Sequence, residues 1–203
     1  MSLVLRDEAA GVATLTLNRP DKLNAITRAM MTELWTHLED IAADPAIGCV
    51  CLTGAGRCFG AGHDLAETGQ AERDEGGHSD AEIVDRLEQL PQPTIAAVHG
   101  YCLTGSLELA LACDLVVATE SAQFADNHGR WGLIPIWGMS VRLPERVGRG
   151  RALDLAFTGR RVGGAEALAI GLADRCVPDD QLATAVAALG AQITAGSRDA
   201  NAM

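Results

Sequence analysis

The stretch "TIAAVHGYCLTGSLELALACDLVVATE", residues 94–120, decides the fold. Its first part, "TIAAVHG", is a short apolar run with the character of a buried strand. "GSLELALAC" then reads as a short helix that is apolar on nearly every side. "DLVVATE" returns to strand. Strand, helix and strand in so few residues imply a right-handed crossover and an α/β layering.

The same alternation extends outward. "GVATLTLNRP" (residues 11–20) alternates like a half-buried strand and stops at Pro20. Thr27 is placed to cap a helix whose apolar residues Met30, Met31, Leu34, Trp35, Leu38, Ile41 and Ala42 recur at helical spacing and stop before Pro45. "IGCVCLTGAG" is a buried strand ending in a glycine-rich turn, and "SDAEIVDRLEQL" is a polar-faced helix closed by "PQP". Beyond "GLIP" the pattern turns helical, through "GRALDLAFTG", "GGAEALAIG" and "DDQLATAVAALGAQITAG". No linker or clear repeat divides the 203 residues, so one domain is expected.

Composition narrows the function classes. A formal charge of −11 opposes a phosphate-backbone partner, so no nucleic acid is expected. The apolar runs are interrupted by acids and are too short to span a bilayer, and no secretory leader opens the chain. A cytoplasmic protein with reduced thiols follows as the expectation. The six cysteines form no C-x-x-C pair and no zinc-spaced cluster, so no metal is expected and the thiols read as small hydrophobes. "AETGQAERDEGGHSDAE" (Ala66–Glu82) reads as a solvated, mobile acidic loop.

Two stretches carry chemistry. In "LTGAGRCFGAGHDLA" (Leu52–Ala66) the glycines match neither the dinucleotide fingerprint nor a P-loop. They fit a tight turn, or a close approach of backbone N–H groups to a ligand. In "GYCLTGSLELALACD", Gly105 opens the short helix, where unpaired N–H groups favour negative charge. Glu108 lies one turn on in apolar surroundings, which raise a carboxyl pKa toward the range useful for proton transfer. A helix-capping or arginine-paired Glu108 is the structural alternative. No G-x-S-x-G surrounds Ser106 or Ser140, which disfavours a serine hydrolase.

Five ordered motifs, "NRPDKLNA", "LTGAGRCFGAGHDL", "GYCLTGSLELALACDL", "FADNHGRWGLIP" and "FTGRRVGGAEALAIGLADRCVP", together resemble the enoyl-CoA hydratase/isomerase, or crotonase, family. The resemblance runs from the first strand to Pro178. It implies a superhelix of repeated β-β-α units, with a core over residues 1–178 and a C-terminal helical part, 179–203, that is short beside the family. It also implies a homotrimer or hexamer, which the short end puts in question. The partner implied is an acyl-CoA thioester, with coenzyme A entering as part of the substrate and no separate cofactor. The backbone N–H groups matching the family's oxyanion site are those of His63 and Gly105. "DKLNA", with Lys22, Leu23 and Ala25, and the run Ala61, Gly62, His63, Asp64 and Leu65 should embrace the CoA moiety. Lys22 and Arg28 are candidates for its phosphates, or ordinary surface cations. Trp131 and Trp137 flank "GLIP", and Trp131 is taken as a substrate-binding residue.

Family hydratases use two glutamates, one activating water for attack at Cβ and the other protonating Cα. Glu108 matches the first. The second falls on His128, so this chain departs from the pattern at a catalytic position. Histidine exchanges protons near neutral pH and can complete an acid/base pair. In an extended segment Asp126 would lie on the same side as His128, orienting the imidazole or serving as the second acid. Alternatively His128 is a polar turn residue outside the pocket. The reading is a 2-enoyl-CoA hydratase working through Glu108, His128 and Asp126. Another CoA-thioester reaction and a non-catalytic acyl-CoA-binding protein are the alternatives.

Overall fold

The computed structural model describes residues 2–67 and 78–201. Most of the expected acidic loop, residues 68–77, lies outside the described residues.

Strand β1 (Val4–Ala9) turns through Ala10 and Gly11, both at positive φ (52° and 77°), into β2 (Val12–Leu17). Two central residues at positive φ give the turn a twist that matches an antiparallel hairpin. The alternation of β2 puts Ala13, Leu15 and Leu17 fully inside. Helix α1 (Arg28–Ala43) begins where expected, with the Thr27 hydroxyl accepting the Met30 N–H at 3.2 Å. It buries Met30, Met31, Leu34, Leu38 and Ile41.

Then follow β3 (Cys49–Gly54), α2 (Asp80–Glu88), β4 (Thr94–Val98), β5 (Tyr101–Leu103), α3 (Gly105–Leu111), β6 (Leu115–Thr119) and β7 (Gln123–Ala125). The chain continues through α4 (His128–Trp131), α5 (Met139–Val147), α6 (Arg149–Thr158), β8 (Val162–Gly163), α7 (Gly164–Ile170), β9 (Arg175–Val177) and α8 (Leu182–Thr194). Ser79 and Glu82 form a reciprocal capping box at the start of α2.

The large sheet has the order β1-β2-β3-β4-β6-β9, parallel from β2 onward. A smaller sheet has the order β5-β7-β8, and a bridge from Gly60 to Cys102 extends it. Each turn of the chain therefore lays one strand in the large sheet and a short one in the small sheet before it enters a helix: β4, β5, α3, and then β6, β7, α4. This is the expected β-β-α superhelix. Strand β4 is buried along its whole length, as parallel strands covered on both faces must be. One face of the large sheet, with Cys49 and Cys51 of β3, Ile95 and Ala97 of β4 and Val117 of β6, packs against Val186 and Leu189 of α8. Burial pushes the Cys49 and Cys51 thiols up to about 11 and about 12, which makes them inert hydrophobes.

Asn24 is the pin that sets the site loops. It is fully buried at φ 53°, and its amide donates to the carbonyls of Ala55 (2.9 Å) and Cys58 (2.8 Å) while its oxygen accepts the Arg19 N–H (2.9 Å). Replacing Asn24 by Ala leaves these buried groups unpaired, at roughly 1–3 kcal/mol for a stranded buried group. Urea denaturation of Asn24→Ala is expected to show a lowered midpoint with unchanged slope.

Candidate active site

Short contacts hold two backbone segments together. Leu103 N–H donates to Gly60 O (3.1 Å), Gly60 N–H to Tyr101 O (2.8 Å) and Gly62 N–H to the Ser106 hydroxyl (2.9 Å). Gly62 has φ 98°, and a Cβ there would collide with the Thr104 side chain, so only glycine lets the segments approach.

The parallel bridge between Ile26 and His63 uses the Ile26 N–H to Gly62 O (2.9 Å) and the Asp64 N–H to Ile26 O (2.8 Å). That pattern directs the N–H of His63 itself away from Ile26. Gly105, the first residue of α3, has no intrahelical acceptor for its N–H. The His63 and Gly105 N–H groups thus sit on stapled neighbouring segments, as a pair of donors for a developing oxyanion would require. Thr104, just before Gly105, is held at φ 47°, ψ −119°, a conformation that disfavours a β-branched residue.

Glu108 is 1% exposed. Neither sequence alternative for it, a capping residue or an arginine partner, describes what it does. Its Oε1 accepts the backbone N–H groups of Trp137 (2.9 Å) and Met139 (3.0 Å). Gly138 between them lies at φ 102°, which lets the two N–H groups converge on one oxygen. The Arg142 guanidinium holds the same loop from outside, donating to Trp137 O (2.6 Å) and pairing with Asp85 and Glu88 (2.7 Å each).

The other oxygen, Oε2, lies 3.5 Å from His128 Nε2. Burial pushes the Glu108 carboxyl above its ordinary value. The Met139 N–H, the charge of His128 and the Trp137 N–H oppose that rise, and Asp126 adds to it. His128 Nδ1 is 2.7 Å from Asp126 Oδ1, which also accepts the His128 backbone N–H at 3.1 Å. A carboxylate only accepts, so Nδ1 carries a proton toward Asp126 and Nε2 is the nitrogen that faces Glu108. All three side chains are buried.

His128 is therefore not an outlying turn residue. The expected extended geometry is corrected in one respect. Strand β7 ends at Ala125, Asn127 takes φ −100°, ψ 6°, and His128 starts α4, so a turn brings Asp126 and His128 together, not strand alternation.

The residues expected around CoA divide. Ala61 N–H donates to Leu23 O (2.9 Å), joining the two expected segments, and the Ala25 carbonyl accepts from Arg19 (2.5 Å). Asp64 pairs with Arg19 at 3.0 Å, Leu65 is half exposed and Lys22 is exposed at the surface of the same lobe. Arg28 has partners at the start of the neighbouring helix. Its guanidinium pairs with Asp80 and donates to the His78 carbonyl, so the start of α2 already takes up its charge. Trp131 is 62% exposed, whereas Trp137 is 5% exposed. A Cβ on Gly105 would lie 2.5 Å from the Trp137 ring, and that ring meets His63 edge-on at 5.5 Å. Sequence reasoning also missed Asn24, Ser106 and Arg142. The polar asparagine in "DKLNA" was the one available signal among them.

Among the described residues no group of three His, Cys, Asp or Glu side chains could hold a metal, and no helix is long and apolar enough to cross a membrane.

The family model for enoyl-CoA hydratase/isomerase matches residues 7–203. A probable peroxisomal enoyl-CoA hydratase of Arabidopsis thaliana is 37% identical over 76% of this chain, which spans 58% of that relative. A probable enoyl-CoA hydratase of Mycobacterium bovis is 37% identical over 99% of this chain and 78% of its own length. The crystal structure of an enoyl-CoA hydratase from Mycobacterium avium superposes with a TM-score of 0.87 at 39% identity, covering 98% of this chain and 84% of that one.

The strain at Thr104 gives a test of the geometry beside Gly105. Thr104→Gly removes a conformational cost of roughly 1–3 kcal/mol, partly offset by the greater freedom of glycine in the unfolded chain. A higher thermal midpoint is expected for Thr104→Gly. Thr104→Ala keeps a Cβ at positive φ and should show no such gain.

Proposed function

The chain belongs to the enoyl-CoA hydratase/isomerase family, and on that basis we propose that it adds water across the double bond of a 2-enoyl-CoA thioester. Glu108, His128 and Asp126 carry the protons. The observation that carries this reading is the buried line of contacts from Asp126 through His128 to the free oxygen of Glu108, 2.7 Å and then 3.5 Å.

The steps balance with these groups alone. Glu108 Oε2, made more basic by burial, takes a proton from water as the oxygen bonds to Cβ. The π electrons move onto the thioester oxygen, where the N–H groups of His63 and Gly105 meet the negative charge. The enolate then collapses, and Cα takes the Nε2 proton of His128. Asp126 stabilises the cation before this transfer and keeps the Nδ1 proton in place after it. The proton on Glu108 returns to Nε2 across the short gap between them, restoring the starting state. Lys22, Leu23, Ala25 and the Ala61–Leu65 run form the proposed CoA-binding lobe. Arg28, already paired with Asp80, and the exposed Trp131 remain candidates for contacts to the CoA thioester.

Loss of the conjugated-enone absorbance of crotonyl-CoA tests the reaction. Glu108→Gln is expected to lower kcat by roughly 10²–10⁴-fold, and Asp126→Asn by about two orders of magnitude or more, with KM little changed. Binding of crotonyl-CoA to the parent chain with no loss of absorbance would replace the hydratase by an acyl-CoA-binding protein.

The pH profile has a defined sign. The base must be ionised, and its pKa is raised. The rate should therefore fall on acidification at a pH above the 4.5 of an ordinary glutamate. An acid limb at or below that value would contradict the assignment of Glu108 as base.

A further inference from the structure

Beside the proton-carrying groups lies a cavity of about 150 Å³, lined by Ser79, Asp80, Ala81, Ile136 and Trp137. Trp137 belongs to both places. Its ring lies where a side chain on Gly105 would be, its edge meets His63, and its peptide is fixed by Glu108 on the N–H side and Arg142 on the carbonyl side. The indole thus forms part of the cavity lining and also lies against Gly105 and His63, and both ends of its peptide are held.

On another side of the cavity the described residues include an ion pair. Asp80 is buried and pairs with Arg28, and its other oxygen is 4.0 Å from His63 Nε2. Opening that side for an alkyl chain would separate a largely buried ion pair, which costs far more than one methylene gains.

We propose, resting on the hydratase reading, that Trp137 is a specificity-determining residue that limits the substrate to short acyl groups of about six carbons or fewer. A cavity of this volume in a protein interior accommodates a six-carbon ring. The Trp137 indole is the largest group on its lining. It is placed to be met by the chain as it leaves a thioester carbonyl bound at Gly105.

The test separates chain length from chemistry. Dissociation constants for saturated butyryl-, hexanoyl-, octanoyl- and decanoyl-CoA are measured by calorimetry on the parent, Trp137→Ala and Trp137→Phe. No turnover is needed. The parent should bind decanoyl-CoA at least tenfold more weakly than hexanoyl-CoA. Trp137→Ala should move that loss to longer chains, and Trp137→Phe should fall between the two. Equal binding of decanoyl- and hexanoyl-CoA by the parent would overturn the proposal, whether or not either variant folds. So would an unchanged chain-length profile in a folded Trp137→Ala. Absent crotonyl-CoA hydration with the profile intact would remove the hydratase reading and leave the size limit standing.

Discussion

One oxygen of Glu108 organises the site. By accepting two backbone N–H groups from either side of Gly138, Oε1 fixes the loop between α4 and α5 against α3. Neutral donors on a buried acid are strong bonds, and they stabilise the ionised form against the cost of burial. The same contact places Trp137 against Gly105 and leaves the other oxygen pointing at His128. A single side chain is thus scaffold on one oxygen and a candidate base on the other. The shape of the pocket and the chemistry of the acid are consequently coupled, because a change that moved Oε1 would move Trp137 with it.

The contacts Asp126–His128–Glu108 bring together the residues whose roles the sequence left open. A buried imidazole at position 128 has two nitrogens to satisfy. Asp126 takes one, through a turn that also uses its oxygen for the His128 backbone N–H. This local ring depends on Asn127 leaving the extended conformation. Position 126 can therefore serve position 128 without any strand geometry, and the imidazole is held in one tautomer and one orientation.

The architecture was legible where periodicity was strong. The helix from Arg28, capped by Thr27, the polar-faced helix after Ser79 and the buried strands at Cys49, Thr94 and Leu115 follow from apolar spacing and caps. The strands Tyr101–Leu103, Gln123–Ala125, Val162–Gly163 and Arg175–Val177 did not, since two or three residues give no alternation to read. Strand Val4–Ala9 escaped because its outer half is exposed and charged, and helix Met139–Val147 because Pro144 interrupts it. At the site, Glu108 stood out as an acid in an apolar run, and His128 through the family resemblance. The roles of Trp137 and Arg142 depend on a backbone N–H, a carbonyl and a ring packed against a glycine. Those are tertiary contacts, and they leave no local pattern in a sequence.

Charge balance among Glu108, His128 and Asp126 bears on the proton-transfer role proposed for the buried acid. Two carboxylates flank one imidazole, and all three are nearly closed to solvent. A protonated His128 compensates one carboxylate fully and shares itself between the two. With both carboxylates ionised the cluster therefore keeps a net negative charge that burial penalises. Placing one more proton on Glu108 removes that charge, which is the direction in which burial and Asp126 push its carboxyl. Full neutralisation is opposed by the N–H groups of Trp137 and Met139, which favour the ionised form. Burial and the neighbouring carboxylate thus push the Glu108 carboxyl one way and the two backbone N–H groups push it the other, with burial the larger influence.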